Sequence, residues 1–334
     1  MTAPKSWDSP TQPVRAAAAF TVLGGLLAIP GLIATLLRLV PPSDDPTALV
    51  AAFISYGVFG YALAFACFSI ALVVSRRKIA LAAVTAVVLG LLVLHLSWLA
   101  PLFVPDDRPA TTRSFTVFSL NLYHGLADSG EVAIQATRAD VVIFAEATPQ
   151  ALLALKAFGW DAQFPYSVSD FEDDADENTA IYSRFPLIDS APLTPTSFQQ
   201  YVTTAKVPEL GAVRIIAAHP CNPYCGEGRW ATEHAVLRAA VRSNLDEPLL
   251  VAGDLNAVQD HGPIRALVRD GLTSATDIVG AGWLPTYPAN RRLPPLLPID
   301  HVMVNDRLTA TSISTVEISR TDHLGLIAAI AGTG

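Results

Sequence analysis

The sequence has few cysteines, and they are poorly placed for a thiolate metal centre. Cys67 lies within a long apolar run, which leaves only Cys221 and Cys225 in the rest of the chain. A C-x3-C pair without further cysteines is weak evidence for zinc. The same spacing permits a small-loop disulfide in an oxidising compartment, and we favour that disulfide over two buried thiols or a metal pair.

Charged residues are almost absent from long stretches of the first third of the chain. Three uncharged apolar runs, residues 16–37, 48–74 and 79–104, are 22, 27 and 26 residues long. Each is long enough to cross a hydrocarbon core of about 30 Å at about 1.5 Å per residue. The first run is longer than the apolar part of a signal peptide, and no A-x-A site ends it before Arg38, so we expect a retained helix. The sequence therefore predicts a membrane domain with three transmembrane helices over residues 1–104.

Basic residues flank these runs unevenly. Lys5 and Arg15 precede the first run and Arg-Arg-Lys forms the second connection at residues 76–78, whereas the first connection, residues 41–46, is acidic. Loops rich in Lys and Arg remain in the cytoplasm. We therefore predict a multi-pass protein of the cell membrane, with a cytoplasmic N-terminus and an extracytoplasmic domain after the third helix.

The C-terminal part lacks the excess of basic residues that nucleic-acid-binding domains carry. Residues 106–334 contain 16 Lys/Arg and 27 Asp/Glu, a net charge of −11, whereas residues 1–105 contain 6 and 3. A domain that docks on a polyanionic duplex usually has a basic face. Nucleic acid is therefore not expected as a partner.

The C-terminal part begins with a short linker. Two prolines and several polar residues at 105–112 predict an extended segment before a single domain at residues 113–334. In that domain, helical stretches such as residues 229–245 alternate with strand-like runs at residues 114–121, 141–145, 179–183, 213–218, 249–252 and 299–304. This alternation predicts an α/β or α+β layered domain.

Polar residues stand at or just after the carboxyl ends of several apolar runs, and others lie in two later segments. The set comprises Asn121, Glu146, His219, Asp254, Asn256, Asp300, Asp322 and His323. Strand ends gather in space although they are far apart in the sequence, so these side chains are expected to form one site. Carboxylates, amides and two histidines without a thiolate suit Mg²⁺, Mn²⁺ or Ca²⁺ rather than structural zinc.

The same segments, in order, resemble the motifs of the endonuclease/exonuclease/phosphatase superfamily. The motifs are Ser-Leu-Asn ending at 121, Val-Ile-Phe-Ala-Glu ending at 146, Tyr-Ser-Arg-Phe-Pro at 182–186, His-Pro at 219–220, Gly-Asp-Leu-Asn at 253–256, Ile-Asp-His at 299–301 and Thr-Asp-His at 321–323. The resemblance implies the DNase-like four-layer αββα sandwich, here preceded by three transmembrane α-helices. Such a domain after three N-terminal helices looks like the VanJ-type teicoplanin-resistance membrane proteins.

The resemblance also implies a metal site. Glu146 resembles the primary metal ligand, with Asn121 and Asp322 in the same coordination shell. Mg²⁺ is the expected ion, with Mn²⁺ or Ca²⁺ as alternatives. The other histidines of the domain are predicted to lie at the surface or behind the site: His124, His234, His261 and His301.

Five further residues receive catalytic roles from the resemblance. Asp254 resembles the base that activates water, and Asn256 orients either this base or the phosphate oxygens. His219 and His323 resemble the pair that binds the phosphoryl oxygens and stabilises the charge of the transition state. Asp300 would fix the tautomer of His323 through the other ring nitrogen.

These features predict a metal-dependent phosphoesterase that acts at the outer leaflet. The expected substrate is a lipid-linked phosphate, pyrophosphate or phosphodiester, such as a polyprenyl carrier, a phospholipid or a glycolipid headgroup, because a membrane tether concentrates the enzyme near a lipid. The alternative is an extracytoplasmic nuclease. A scaffold without enzymatic activity would require the loss of site residues, and none is missing.

Overall fold

The computed structural model describes residues 12–42, 44–75, 78–106, 108–170 and 178–333. The chain divides into two compact units. The first comprises Met1–Pro41 and Phe53–Ala100, and the second comprises Pro42–Ala52 and Pro101–Gly334.

Three long apolar helices form the first unit. They are α1 (Gln12–Leu39), α3 (Gly57–Val74) and α4 (Lys78–Leu99), whereas α2 (Asp45–Ala51) belongs to the second unit. With flanking short turns, the stretches Val14–Leu39, Ile54–Val74 and Lys78–Leu102 have mean hydropathies of 2.1, 2.2 and 2.6 and are long enough to cross a membrane. The prediction of three such helices is confirmed. Arg76 and Arg77, which carry much of the orientation argument, lie outside the described residues.

A buried polar cluster joins these three helices. The Thr35 hydroxyl donates to the carbonyl of Gly31 and lies 2.7 Å from the Tyr61 hydroxyl and 3.0 Å from His95 Nε2. Polar contacts of this kind hold apolar helices together, because an unpaired polar group would be costly in such surroundings. We call Thr35, Tyr61 and His95 the helix cluster.

The second unit contains twelve strands and seven helices in its described residues. The strands are β1 (Phe115–Asn121), β2 (Val141–Ala147), β3 (Tyr166–Val168), β4 (Asn178–Ser183), β5 (Leu187–Pro192), β6 (Tyr201–Val207), β7 (Gly211–Ala218), β8 (Leu249–Asp254), β9 (Thr273–Ser274), β10 (Asp300–Val304), β11 (Leu308–Val316) and β12 (Gly325–Gly332). Besides α2, the helices are α5 (Ser129–Ala136), α6 (Pro149–Lys156), α7 (Trp160–Gln163), α8 (Arg229–Arg242), α9 (Gly262–Arg269) and α10 (Ala275–Val279).

The strands form two six-stranded sheets, in the orders β11-β12-β1-β2-β4-β3 and β5-β6-β7-β8-β10-β9. Val117 and Ile143 of the first sheet pack against Ile215 and Leu250 of the second in one apolar core. A second core lies between the first sheet and α5, α6 and α7, and a third lies between the second sheet and α8 and α9. The fold is therefore an α/β sandwich of two mixed sheets with helices on the outside, as predicted.

The topology brings the carboxyl ends of the central strands together. β1 and β2 run parallel in the first sheet, and β7 and β8 run parallel in the second. β10 runs antiparallel to β8, so that Asp300 at its start pairs with Asp254 at the end of β8. One edge of the sandwich thus collects the chemistry-bearing residues.

The connection between the first two long helices is part of the second unit. Ala48 of α2 is fully buried in the core that contains Trp230 and Leu255. Its carbonyl oxygen lies 2.9 Å from His261 Nε2, and Asp45 Oδ2 accepts a hydrogen bond from the Gly228 amide. The start of the predicted second apolar run is therefore buried within the protein. The structure differs here from the predicted boundary between residues 104 and 105, because residues 42–52 also pack into the C-terminal unit.

The predicted linker after residue 104 is bound along the second unit. The Asp106 amide donates to the carbonyl of Ile278, and the Thr111 amide donates to the carbonyl of Gly332. Two backbone contacts on different elements hold this segment in place, so it does not act as a free tether.

Candidate active site

Tight backbone packing fixes the central motif of the site. Gly253 has φ +144, and a Cβ at this position would collide with the carbonyl oxygen of Ala218 at the end of β7. Only glycine allows β7 and β8 to approach so closely just before Asp254. Glu146 and Asn256 also adopt positive φ, at +51 and +48. Such conformations are uncommon for residues with side chains and are often found at functional sites.

Asn121 connects two carboxylates at the end of β1. Its Nδ2 donates to Glu146 Oε1 over 2.9 Å and to Asp254 Oδ2 over 3.0 Å. Its Oδ1 accepts the amide hydrogen of Tyr123. The buried amide therefore holds carboxylates from both sheets in a fixed relation.

Asp254 lies at the centre of the site. Its Oδ1 accepts from the Asn256 amide over 2.8 Å, while Oδ2 lies 3.6 Å from His323 Nε2 and 4.0 Å from His219 Nε2. Burial raises the pKa of Asp254 above its usual value, and nearby Asp300 adds to this effect, whereas His323 and His219 oppose it. A carboxylate with a raised pKa is better suited to accept a proton near neutral pH.

His323 and Asp300 form a close pair. His323 Nδ1 lies 2.8 Å from Asp300 Oδ2, and both side chains are buried. Burial acts to lower the pKa of His323, but Asp300 and Asp254 outweigh it and raise the pKa to about 10. The surrounding carboxylates therefore favour the charged form of the imidazole, whose Nε2 lies 3.6 Å from Asp254 Oδ2.

His219 is the second histidine beside Asp254. Its ring lies 4.7 Å from that of Phe198, and within the described part of the chain its buried Nδ1 has no hydrogen-bond partner. Behind it, Asn256 Nδ2 donates to the carbonyl of Pro220 over 3.0 Å. Cys221 follows directly and is joined to Cys225 by a disulfide, as predicted, which closes the loop beside this histidine.

Glu146 and Asp322 provide more open carboxylates. Their side chains are 18% and 14% exposed. Burial raises the pKa of Asp322; His323 opposes this, and the negative charge of Glu146 adds to it. The His124 amide donates to Glu146 Oε2 over 2.9 Å. Two partly exposed carboxylates that repel each other are the kind of donors that a hard divalent cation binds.

A second group of residues also fits a cation. Asp254, Asp300 and His323 each offer one ligand atom, and the three atoms lie within 4.8 Å of one another. Asp300 Oδ1 is buried without a hydrogen-bond partner among the described residues. The Asp300–His323 hydrogen bond already engages two members of this group. The chemistry of the donors at the site therefore fits a divalent metal, with oxygen ligands in the majority.

The structure brings all eight predicted site residues into one connected network. The links run through Asn121, Glu146, His219, Asp254, Asn256, Asp300, Asp322 and His323. Sequence reasoning missed Tyr287, whose ring lies 4.9 Å from that of His323, and Phe198 beside His219. Neither carries a motif signal. Burial chiefly raises the pKa of Tyr287, nearby acidic groups such as Asp322 add to it, and Arg291 opposes it.

Three other histidines lie behind the site and not at the surface. His234, His261 and His301 are all buried. His301 Nε2 lies 2.7 Å from the carbonyl oxygen of Ala257, and His261 Nδ1 accepts from the Val258 amide, so both support the loop after Asp254.

Solved structures share this fold at low sequence identity. They include a humanised TDP2 of Danio rerio (14% identity, 66% of this chain and 99% of that chain, TM-score 0.54) and a functionally unknown conserved protein of Enterococcus faecalis (15%, 65% and 99%, 0.53). A mannosyl-6-phosphatase of Bacteroides thetaiotaomicron is similar as well (16%, 65% and 100%, 0.50). A search of curated protein sequences finds no match.

The profile of the Endonuclease/Exonuclease/phosphatase family matches residues 119–323, which is more than half of the chain. The match begins just before Asn121 and ends at His323, so it spans the whole network of site residues. Members of this family hydrolyse phosphoesters and are typically dependent on divalent metals. The chain therefore belongs to the endonuclease/exonuclease/phosphatase family and is a phosphoester hydrolase.

Proposed function

We propose that this hydrolase cleaves a lipid-linked phosphate, pyrophosphate or phosphodiester at a membrane surface. The observation that carries the proposal is the presence, on one chain, of three helices long enough to cross a membrane and a phosphoesterase site. A membrane tether raises the effective concentration of the enzyme near a lipid and has no such benefit for a soluble substrate. We further propose that the chain belongs to the VanJ-type subgroup, which it resembles in this arrangement.

Charge favours a lipid over a nucleic acid. Residues 106–334 carry a net charge of −11. A nuclease binds a polyanion over several phosphates, whereas a single lipid headgroup needs only local positive charge.

The catalytic unit is proposed to lie outside the cell. Residues 42–52 pack into the same unit as residues 101–334, so both segments must lie on the same side of the membrane. Two crossings between them, at Ile54–Val74 and Lys78–Leu102, satisfy this requirement. The basic residues before the first helix assign the opposite side to the cytoplasm.

Thiol labelling of intact cells tests this orientation. A cysteine at Lys78→Cys should be shielded from a membrane-impermeant reagent, whereas Arg113→Cys, at a side chain that is 90% exposed, should react. The reverse labelling pattern would place the catalytic unit in the cytoplasm.

The metal would be held by the partly exposed side of the site. Glu146 is proposed as the main ligand, with Asp322 beside it and Asn121 within the same shell, and Mg²⁺ is the expected ion, with Mn²⁺ or Ca²⁺ as alternatives. A bound divalent cation supplies charge neutralisation for the phosphate oxygens. Asn121 keeps Glu146 in register with Asp254 through its two donated hydrogen bonds.

The remaining residues are proposed to act on the reacting groups. Asp254 accepts the proton of the attacking water, and Asn256 holds its other oxygen through the 2.8 Å backbone hydrogen bond. The Nε2 atoms of His219 and His323 both lie within 4.0 Å of the same oxygen of Asp254, which suits them to bind phosphoryl oxygens next to the attacking water. Asp300 keeps His323 protonated and oriented.

Parallel assays of the purified full-length protein test the substrate class. Polyprenyl pyrophosphate, common phospholipids, phosphoinositides and plasmid DNA are incubated with Mg²⁺, with Mn²⁺, with Ca²⁺ and with EDTA. We expect metal-dependent cleavage of one lipid class and little cleavage of DNA. Preferred cleavage of plasmid DNA would make the enzyme a nuclease, and failure to cleave any ester would contradict the proposal as a whole.

A further inference from the structure

A small hairpin packs against His323. Its base is the bridge between Tyr287 and Leu297, whose backbone groups exchange hydrogen bonds of 3.0 and 2.8 Å. The nine residues between them include three prolines, which restrict the backbone and favour one conformation. We call residues 287–297 the basic hairpin.

Several contacts fix the basic hairpin to the site. The ring of Tyr287 lies 4.9 Å from that of His323. The Ala289 amide donates to the carbonyl of Asp322 over 2.7 Å, and the Leu324 amide donates to the carbonyl of Thr286 just before the hairpin. One hydrogen bond involves Asp322 itself and the other involves Leu324, directly after His323, so the hairpin has a defined position relative to these two site residues.

The tip of the basic hairpin carries positive charge and an exposed apolar side chain. Arg291 and Arg292 are exposed, and Leu293 is 70% exposed. Neither arginine forms an ion pair with any residue that the structure describes. Arg291 follows by two residues Ala289, whose amide donates to the carbonyl of Asp322.

Among the described residues these two arginines have no acidic partner, although residues 106–334 carry a net charge of −11. Guanidinium groups pair well with phosphate and carboxylate groups, often through two parallel hydrogen bonds. A neighbouring exposed leucine adds an apolar contact. An amphiphile with an anionic head and an apolar tail matches this combination better than a sugar phosphate or a nucleic acid does.

We propose that the basic hairpin binds a second, non-reacting anionic group of the substrate, with Arg291 and Arg292 pairing with that group. The inference rests on the proposed hydrolysis of lipid-linked phosphoesters and narrows it to substrates with an anionic group beside the cleaved phosphate. Arg291 and Arg292 then determine specificity and affinity, while Asp254 and the two site histidines carry out the reaction.

Two esters that differ by one phosphate test the proposal. The full-length enzyme, in neutral detergent micelles, is assayed for release of phosphate from geranyl monophosphate and geranyl diphosphate. In the variant Arg291→Gln plus Arg292→Gln, we expect KM for the diphosphate to rise about tenfold, as for the loss of one charge-assisted contact. KM for the monophosphate and both kcat values should change less than about twofold. Arg291→Lys plus Arg292→Lys should restore part of the affinity.

A matched control removes the same charge elsewhere. Arg113 and Arg307 are exposed and lie at the opposite ends of β1 and β10 from Asn121 and Asp300. Arg113→Gln plus Arg307→Gln should leave both KM values unchanged. If this control and the hairpin variant behave alike, the inference is wrong.

Addition of anionic or zwitterionic phospholipid to the micelles distinguishes the source of the bound group. If the arginines bind bulk lipid, the hairpin variant will lose activity on both esters only when anionic lipid is present, and the inference is overturned. An equal loss of activity of the hairpin variant on both esters, in micelles without added phospholipid, also overturns the inference. A wild-type enzyme that cleaves neither these esters nor longer lipid phosphates contradicts the proposed function itself, and the inference falls with it.

Discussion

The helix cluster and the catalytic site each contain a buried histidine, and they differ in what surrounds it. In the helix cluster, His95 contacts the hydroxyl of Thr35, which also contacts the hydroxyl of Tyr61, within stretches of sequence that contain no Asp or Glu. In the catalytic unit, His323 meets three carboxylates within 4 Å. Neutral groups can satisfy one another completely, whereas several carboxylates around one cation leave negative charge that favours a metal ion. We therefore expect the first cluster to serve packing and the second to serve chemistry.

The sharpest test of this contrast removes one carboxylate at a time. Glu146→Ala and Asp254→Ala should each lower turnover by about 10³-fold or more, because a positioned base and a metal ligand have no replacement here. Both lie at strand ends, so expression and membrane insertion should persist. Glu146→Ala should also raise the metal concentration for half-maximal activity. Near wild-type turnover at saturating Mg²⁺ or Mn²⁺ in either variant would refute the role of that residue.

The pairing of His323 with Asp300 predicts non-additive losses. His323→Ala and Asp300→Asn should each reduce turnover by about 10²-fold, since both remove the oriented, protonated imidazole. The double variant should be little worse than His323→Ala alone, because the two side chains act as one unit. Steady-state turnover on the identified substrate gives the result. Losses that multiply would show that Asp300 acts on the metal or the substrate by itself.

Some buried histidines have no hydrogen bond to a carboxylate in the described structure. We expect them to make the stability of the folded protein sensitive to acid. Burial lowers the pKa of His234 to about 3 and that of His261 to about 4. Below pH 6.5 these histidines take up protons in the unfolded chain but remain neutral in the folded chain. The free energy of unfolding therefore has its full value above pH 6.5 and falls as the pH drops toward 4. The loss should reach at most about 1.4 kcal/mol per pH unit for each histidine. Thermal unfolding at pH 7 and pH 5 measures it.

His234→Leu provides the control for this pH effect. It should flatten the dependence of the unfolding temperature on pH while keeping a side chain of similar apolar size. An unfolding temperature in the wild type that is constant from pH 7 to 5 would contradict the neutral state of these histidines.

The smallest expected effect concerns the helix cluster. Thr35→Val removes a hydroxyl that contacts both Tyr61 and His95 but keeps the shape of the side chain. Hydrogen bonds between apolar helices contribute on average about 0.6 kcal/mol, so the unfolding temperature should fall by only a few degrees. Turnover should not change. A loss of turnover comparable to that of Asp254→Ala would contradict the expectation that the helix cluster serves packing and not catalysis.

The gathering of these residues in space was largely predictable from the sequence, because they follow strands in short motifs. Asn121, Asp254 and His323 each stand beside an apolar run or in a recognisable segment, and a single topology brings these strand ends together. Tyr287 was missed because it lies in a proline-rich stretch without periodicity, and its contact with His323 depends on the path of a loop.

The position of Ala48 could not be inferred for a different reason. An apolar run has the same appearance whether lipid or protein surrounds it, and Ala48 begins a run that is long enough to span a membrane. Only the packing against Trp230 shows that protein covers it.

Because residues 42–52 are part of the catalytic unit, folding of that unit depends on how the helices between the two segments are inserted. This segment belongs to the same unit as residues 101–334, although two helices long enough to cross a membrane lie between them in the sequence. A molecule with one crossing missing would have the two segments on opposite sides of the membrane. Trp230 and Leu255 would then lack the cover of Ala48, and His261 would lose its carbonyl partner. If the two intervening helices cross the membrane, the core around Trp230 therefore forms only in molecules whose two segments reach the same side.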